Sequence, residues 1–265
     1  MSNVREYIGI VDSGVGGLDI LVNLATNIKN ENFFYIGDNL HVPYGEKTKE
    51  QLVTYGTKLA QYLERKGAKM IVVACNTLSL NAIDEMRDAV NIPVYGIARP
   101  TIKGFLNHKL DNVLVLATKA TINSNRYVDF LHELGPNVKV YQQEAPKLVE
   151  YIEGNKFELI DAAIVEYVDP YKDKIDAIIL GCTHYPIVQA NFERLYPSLL
   201  IINSRKQMVQ LVNEKLDFHD IRNKEKIEQK IIVQATKSLA ELKNASEHFF
   251  DYEQVETYEG GLNNE

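Results

Sequence analysis

Short runs rich in Val and Ile alternate with longer stretches of helical period along the whole chain, and no other feature constrains the fold as much. The runs that read as strands are Tyr7–Val11, Phe33–Ile36, Met70–Ala74, Val94–Ile97, Val113–Leu116, Lys139–Tyr141, Ala177–Leu180, Leu200–Ile202 and Ile231–Gln234. Strands that are apolar almost throughout need cover on both faces, as in parallel sheets flanked by helices. The stretches between them supply that cover. Thr48 and Gln51 have the spacing of a capping box, and Leu52, Tyr55, Leu59 and Leu63 then mark one helical face. Ser238 and Glu241 repeat the device. The predicted fold class is α/β.

An internal echo predicts two similar halves. Ile8-Gly-Ile-Val-Asp-Ser13 and Val113-Leu-Val-Leu-Ala-Thr118 each run from an apolar strand into a polar turn, with Ser13 and Thr118 105 residues apart. Ile71-Val-Val-Ala-Cys75 and Ile178-Ile-Leu-Gly-Cys182 do the same, with the cysteines 107 residues apart. Near-equal offsets are the trace a duplicated α/β unit leaves. Gly96–Thr101 reads as the first crossover between the halves, and the tail 258–265 is expected to fray.

Composition narrows the function classes. The chain has 265 residues, 45% of them hydrophobic, enough for one large or two modest cores. It carries 36 acidic against 29 basic residues, a net charge of −7. Such a balance, without a basic stripe, argues against nucleic acid or an anionic membrane as partner. The first seven residues show no signal-peptide core, and the apolar runs Met70–Cys75 and Ala177–Leu180 are far too short to span a bilayer. A soluble, cytoplasmic protein is expected. Its two cysteines make neither a disulfide framework nor a zinc spacing.

Ligands of open parallel sheets bind beyond the carboxyl ends of the strands. Four polar clusters fall there: Asp12-Ser-Gly-Val-Gly-Gly17, Cys75-Asn-Thr77, Thr118-Lys-Ala-Thr121 and Cys182-Thr-His184. The glycine turn has neither dinucleotide nor Walker A spacing, and taken alone is a tight strand-to-helix turn. A lone cysteine after an apolar run is most simply a small core residue. Two of them in equivalent places of two halves suggest more. Each is expected at the start of a helix, where the dipole favours thiolate. Two sulfurs facing one ligand from opposite sides suit inversion of a carbon acid, one taking a proton and the other returning it. Asp12 and His184 stand beside them as tuning groups. The Pro43-Tyr44-Gly45 segment reads as a turn whose tyrosine hydroxyl can cover a polar ligand. His41 precedes it, and His108, His132, His219 and His248 read as structural. Glu153 falls on a helix after Pro146, where a solvated carboxylate is the default.

At these residues the chain resembles the glutamate racemases, cofactor-independent enzymes that interconvert L- and D-glutamate. The resemblance runs from about residue 8 to 250 and rests on Asp-Ser-Gly-Val-Gly-Gly-Leu at 12–18, Val-Pro-Tyr-Gly-Glu-Lys at 42–47, Ala-Cys-Asn-Thr at 74–77, Thr-Lys-Ala-Thr at 118–121 and Leu-Gly-Cys-Thr-His-Tyr-Pro at 180–186. It implies Cys75 and Cys182 as the acid/base pair, assisted by Asp12 and His184, with Glu153 near the second thiol. It implies that Ser13, Pro43, Tyr44, Gly45, Asn76, Thr77, Thr118, Thr121 and Thr183 hold the substrate, with Asp12, Cys182 and His184 also in contact. It further implies two pseudo-symmetric Rossmann-like domains, 1–97 plus 208–265 and 98–207, with the site in the cleft between them. A homodimer, a supply of D-glutamate for peptidoglycan, and no need of pyridoxal phosphate or metal complete the picture. The chain departs from the family pattern at His41, where arginine is usual, at Ala98-Arg99, Ala145 and Glu150, and at Asn203, where aspartate is common. Two other classes compete: a lyase or hydrolase using one thiol as nucleophile, and an idle binding protein that keeps a glutamate pocket. Aspartate is the rival substrate, for which a shorter pocket is needed.

Overall fold

A computed structural model describes residues 6–103, 108 and 110–262. Among the described residues ten strands form two sheets, all paired in parallel. The first sheet is built from β1 (Tyr7–Asp12), β2 (Asn32–Gly37), β3 (Ala68–Val73) and β4 (Val94–Gly96). The second contains β5 (Asn112–Ala117), β6 (Lys139–Glu144), β7 (Ala177–Gly181) and β8 (Leu200–Ile202). The chain then returns to the first sheet with β9 (Ile231–Ala235) and β10 (Glu256–Glu259). The spatial orders are β10-β9-β2-β1-β3-β4 and β6-β5-β7-β8. Four strands of the first sheet, read from β2 to β4, therefore have the order of the whole second sheet. The repeated pattern of the sequence is a repeated topology.

Helices cover both sheets. The first sheet is served by α1 (Gly16–Asn27), α2 (Lys49–Arg65), α3 (Asn76–Asn81) and α4 (Ile83–Asp88). Next come α5 (Ala98–Lys103), α6 (Lys119–Asn123), α7 (Arg126–Leu134), α8 (Pro146–Glu153), α9 (Ile160–Val168) and α10 (Gln189–Leu195), then α11 (Arg205–Phe218) and α12 (Leu239–Ser246). Helix α2 starts with the expected capping box of Thr48 and Gln51, and buries Leu52, Leu59 and Leu63. Ser238 caps α12 by accepting from the Glu241 amide. Among the described residues no helix is long and apolar enough to cross a membrane.

Alternation along the strands separates the cores. Met70, Val72 and Ala74 join the cluster beneath α1 and α11, whereas Ile71, Val73 and Cys75 join the one beneath α2. In the second sheet Ala177 and Ile179 go to one side, and Ile178, Leu180 and Cys182 to the other. Side chains of a strand alternate between faces, so each cysteine continues one parity of its own strand. The tail differs from expectation: β10 pairs with β9 and holds Tyr258 in the sheet, while 263–265 lie outside the described residues. A buried ion pair helps to anchor the returning segment. Lys69 Nζ lies 2.5 Å from Glu31 Oε2 and also donates to the carbonyl of Ile221.

Candidate active site

In both sheets the chain runs from the first strand to a neighbour on one side, then crosses to the other. The crevice that opens at this reversal lies between β1 and β3 in one unit and between β5 and β7 in the other. Ligand sites form at such switch points, beyond the strand ends. Asp12 closes β1 and Cys75 stands just after β3, while Thr118 follows β5 and Cys182 follows β7. The polar clusters of the sequence thus fall at equivalent crevices, and both open on one cavity of about 370 Å³.

On the first side, the Asp12 carboxylate accepts from the amides of Gly17 at 2.9 Å and Gly14 at 3.3 Å. A Cβ on Gly17 would sit 2.5 Å from the Asp12 Cβ, so glycine is what lets α1 begin this close to the strand end. Burial raises the Asp12 carboxyl above the usual carboxylate range, against the opposing pull of the His184 charge and these donors. Cys75 caps α3, with its sulfur 3.9 Å from Ser13 Oγ. Burial, reinforced by the Asp12 charge, pushes the Cys75 thiol up to about 12. The expected helix-terminal bias towards thiolate is outweighed: α3 has only six residues, and desolvation penalises the anion more than one short turn favours it.

The second side is built differently. Cys182 does not begin a helix as expected. It sits in a bend, followed by the 3₁₀ segment Tyr185–Val188 and only then by α10. That turn brings His184 back over the sulfur, with Nδ1 3.6 Å from Cys182 Sγ. The other ring nitrogen pairs with Glu153 Oε1 at 2.9 Å. Glu153 is the last residue of α8 and is one-third exposed rather than fully solvated. Burial alone would lower the His184 pKa, but hydrogen bonds and charge from Cys182 and Glu153 outweigh it and hold the ring well above its ordinary value. A protonated His184 offers a donor to each neighbour, so a Cys182 thiolate has a partner.

Contacts between the two sides close the cavity. Thr183 Oγ1 donates to Asp12 Oδ1 at 3.3 Å, and Thr77 Oγ1 lies 3.0 Å from Thr118 Oγ1. The Tyr127 hydroxyl donates to Asn76 Oδ1 at 2.6 Å, which fixes that amide with its NH₂ group still to be used. Of the residues read from the sequence, Ser13, Pro43, Tyr44, Gly45, Cys75, Asn76, Thr77, Thr118, Glu153, Cys182, Thr183 and His184 line the cavity. Asp12 and Thr121 are buried one layer behind it, bonded to Thr183 and to Thr77. Tyr44 differs from expectation in that its hydroxyl already has a partner, donating to Asp38 Oδ2 at 2.5 Å. Asp38 also takes His41 Nδ1 at 2.8 Å and the Thr236 hydroxyl at 2.7 Å, so it anchors the whole Pro43–Gly45 wall. His132 and His219 bond the Val138 carbonyl and the Tyr95 hydroxyl, away from the cavity.

Sequence reasoning missed Asp38, and it missed Val42, Glu46, Lys119, Pro146, Val149 and Glu150 in the lining. Glu46 and Lys119 lay inside quoted motifs, and Glu150 faces the cavity one helical turn before Glu153, a spacing that could have flagged it. Among the described residues, no three His, Cys, Asp or Glu side chains gather as a metal site would require.

Known proteins of this architecture point the same way. Residues 21–212 match the Asp/Glu/hydantoin racemase family. The glutamate racemase of Sulfurihydrogenibium sp. is 36% identical over 219 residues, covering 80% of this chain and 84% of that protein. The glutamate racemase of Clostridium perfringens is 34% identical over 252 residues, covering 89% and 96%. The crystal structure of the Francisella tularensis glutamate racemase in complex with D-glutamate superposes with a TM-score of 0.88 at 30% identity, covering 98% of each chain. With a family match across most of its length and relatives aligned over 80% or more of it, the chain belongs to the Asp/Glu/hydantoin racemases.

Proposed function

We propose that the protein interconverts L- and D-glutamate by direct 1,1-proton transfer between two thiols, with no cofactor. The observation that carries this reading is that Cys75 and Cys182, from equivalent strands of the two sheets, open on the same cavity. In one direction the Cys182 thiolate takes the α-proton from its face of the carbon while the Cys75 thiol delivers its own to the opposite face. Cys182 ends as thiol and Cys75 as thiolate, and the reverse reaction runs the same protons back. The proton held by Cys75 and the donor that His184 offers to Cys182 suit this starting state. Asp12 takes the matching place on the first side.

The α-carbon is a very weak acid, and each pKa unit of mismatch costs about 1.4 kcal/mol. The site must therefore stabilise developing charge with fixed donors and excluded water. Ser13, the Asn76 amide, Thr77, Thr118 and Thr183, with the backbone at Tyr44 and Gly45, hold the carboxylates and ammonium, and closure of the two units around the ligand completes the enclosure. Thr121 supports the threonine hydroxyls from behind. We take the domain boundaries as 1–97 plus 208–265 and 98–207. Similarity to glutamate racemases, one of them in complex with D-glutamate, supports glutamate over aspartate as the substrate. A homodimer in the cytoplasm, supplying D-glutamate for peptidoglycan, is the biological setting that goes with this reading.

Polarimetry on each enantiomer of glutamate and aspartate, without added pyridoxal phosphate, tests it. Decay of both glutamate signals to zero rotation is expected, with far slower change for aspartate. No change in either glutamate signal, or dependence on added pyridoxal phosphate, removes it.

A further inference from the structure

The proposed reaction needs two sulfurs held at a set separation although they belong to different sheets, and one residue outside the cavity ties their two supports together. Arg205, the first residue of α11, stands where the chain leaves the second sheet. Its guanidinium forks onto the Asp19 carboxylate, Nε to Oδ2 at 2.8 Å and Nη2 to Oδ1 at 2.7 Å. The same Nη2 donates to the Pro186 carbonyl at 2.9 Å. Asp19 lies in the first turn of α1, the helix whose Gly17 amide holds Asp12. Pro186 lies in the 3₁₀ segment that brings His184 back over Cys182. One side chain therefore bonds the scaffold of each half-site.

Two further observations give this bridge its purpose. A Cβ on Gly16 would sit 2.5 Å from Thr183 Oγ1 and 2.8 Å from the His184 amide nitrogen, so α1 approaches the Cys182 turn closely at a residue with no side chain of its own. The single hydrogen bond from Thr183 to Asp12 across this contact constrains orientation less than a planar bidentate pair does. Arg205 itself is braced: Asn203 Oδ1 accepts from its amide at 2.9 Å, while Asn203 Nδ2 donates to Gln189 Oε1 at 2.5 Å, at the start of α10.

The geometry assigns Arg205 as a positioning residue for proton transfer: through Asp19 and Pro186 it sets the distance between the Cys182 turn and the first half-site. This rests on the two-thiol reading above and adds to it. Misplacing a reacting group by about 1 Å costs up to about 10²-fold, so Arg205→Gln is expected to lower kcat about tenfold with KM changed less than about threefold. The diagnostic is the isotope effect. With α-deuterated glutamate, the effect on kcat/KM should rise in the direction in which Cys182 removes the proton. In the opposite direction it is the solvent isotope effect that should rise. A role in folding alone lowers the active fraction and leaves both isotope effects at the wild-type values.

Arg205→Lys and Asp19→Asn, which keep part of the bridge, should show the same asymmetry at smaller amplitude. Isotope effects unchanged in both directions for Arg205→Gln and Asp19→Asn, or full activity in Arg205→Gln, overturns the assignment. Wild-type protein measured alongside separates the two levels. A wild type that fails to racemise glutamate removes the reading itself, whereas an active wild type matched by its variants removes only the role of Arg205.

Discussion

Cys75 and Cys182 hold equivalent places in two sheets of the same strand order, yet their neighbours differ in kind. Cys75 has one hydroxyl, Ser13, at 3.9 Å and a buried carboxylate behind it. Cys182 has an imidazole at 3.6 Å, backed by Glu153. The backbone is duplicated and the chemistry is not. A reaction that inverts a centre can use this asymmetry, because at rest one side needs a proton and the other needs to be without one. What the comparison teaches is that pseudo-symmetry places the sulfurs, while the side chains around them give each its own surroundings.

The largest expected effect comes from removing either sulfur. Cys75→Ala and Cys182→Ala should each lower racemisation by about 10³-fold or more, near the upper range for loss of an acid/base group. Polarimetry reads this directly, and an active single variant would break the equivalence of the halves. Next is His184→Asn, expected to lower kcat by about 10²-fold, with the larger isotope effect confined to the direction in which Cys182 is the base.

Glu153→Gln should cost about tenfold, in keeping with roughly 1.5 kcal/mol for a hydrogen bond to a charged group. Glu153 helps to hold His184 protonated. Removing its charge lowers the pH at which the ring loses its proton, so the alkaline limb of the rate profile should move to lower pH. A limb that stays in place, or moves up, would show that Glu153 does not act through His184.

A stability measurement sharpens the contrast from the other side. An unfolded Cys75 releases its proton near 9.0, whereas the folded thiol keeps it to about 12. Between those values the unfolded state binds fewer protons, so native stability falls with rising pH by about 1.4 kcal/mol per unit for this group. Buried tyrosines add slopes of the same sign, so the quantity to read is the difference between wild type and Cys75→Ser from pH 8 to 10 by denaturant titration. The variant should lose less stability on that rise. Equal slopes would place the Cys75 thiol at its ordinary value. The smallest effect belongs to Tyr127→Phe, which frees the Asn76 amide on the Cys75 side and should lower kcat/KM about threefold, the equivalent of roughly 0.7 kcal/mol.

Much of this was legible in the sequence because strands buried on both faces are written as apolar runs. All nine runs read from the sequence appear in the sheets, and the spacing of their polar ends marked both crevices. Strand β10 was not legible: Glu256-Thr-Tyr-Glu259 is a mostly exposed edge strand with no apolar run to betray it. The Cys182 turn was misread because Pro186 lies in a 3₁₀ segment that delays the helix. Pairings between distant segments left no local trace either. Glu153 and His184 are 31 positions apart, and Asp19 and Arg205 are 186 apart. A charged residue on a helix looks the same in sequence whether it meets water or a partner far along the chain.

The proton's route across the cavity is the point on which the account stands. Brief incubation of L-glutamate in deuterium oxide, with the two enantiomers separated and their α-positions analysed by mass spectrometry, follows that route directly. Delivery from the opposite sulfur predicts D-glutamate that carries deuterium from its first appearance, beside unreacted L-glutamate that carries none. D-glutamate that keeps the original α-hydrogen, or label appearing equally in both enantiomers, would mean that a single group handles both faces.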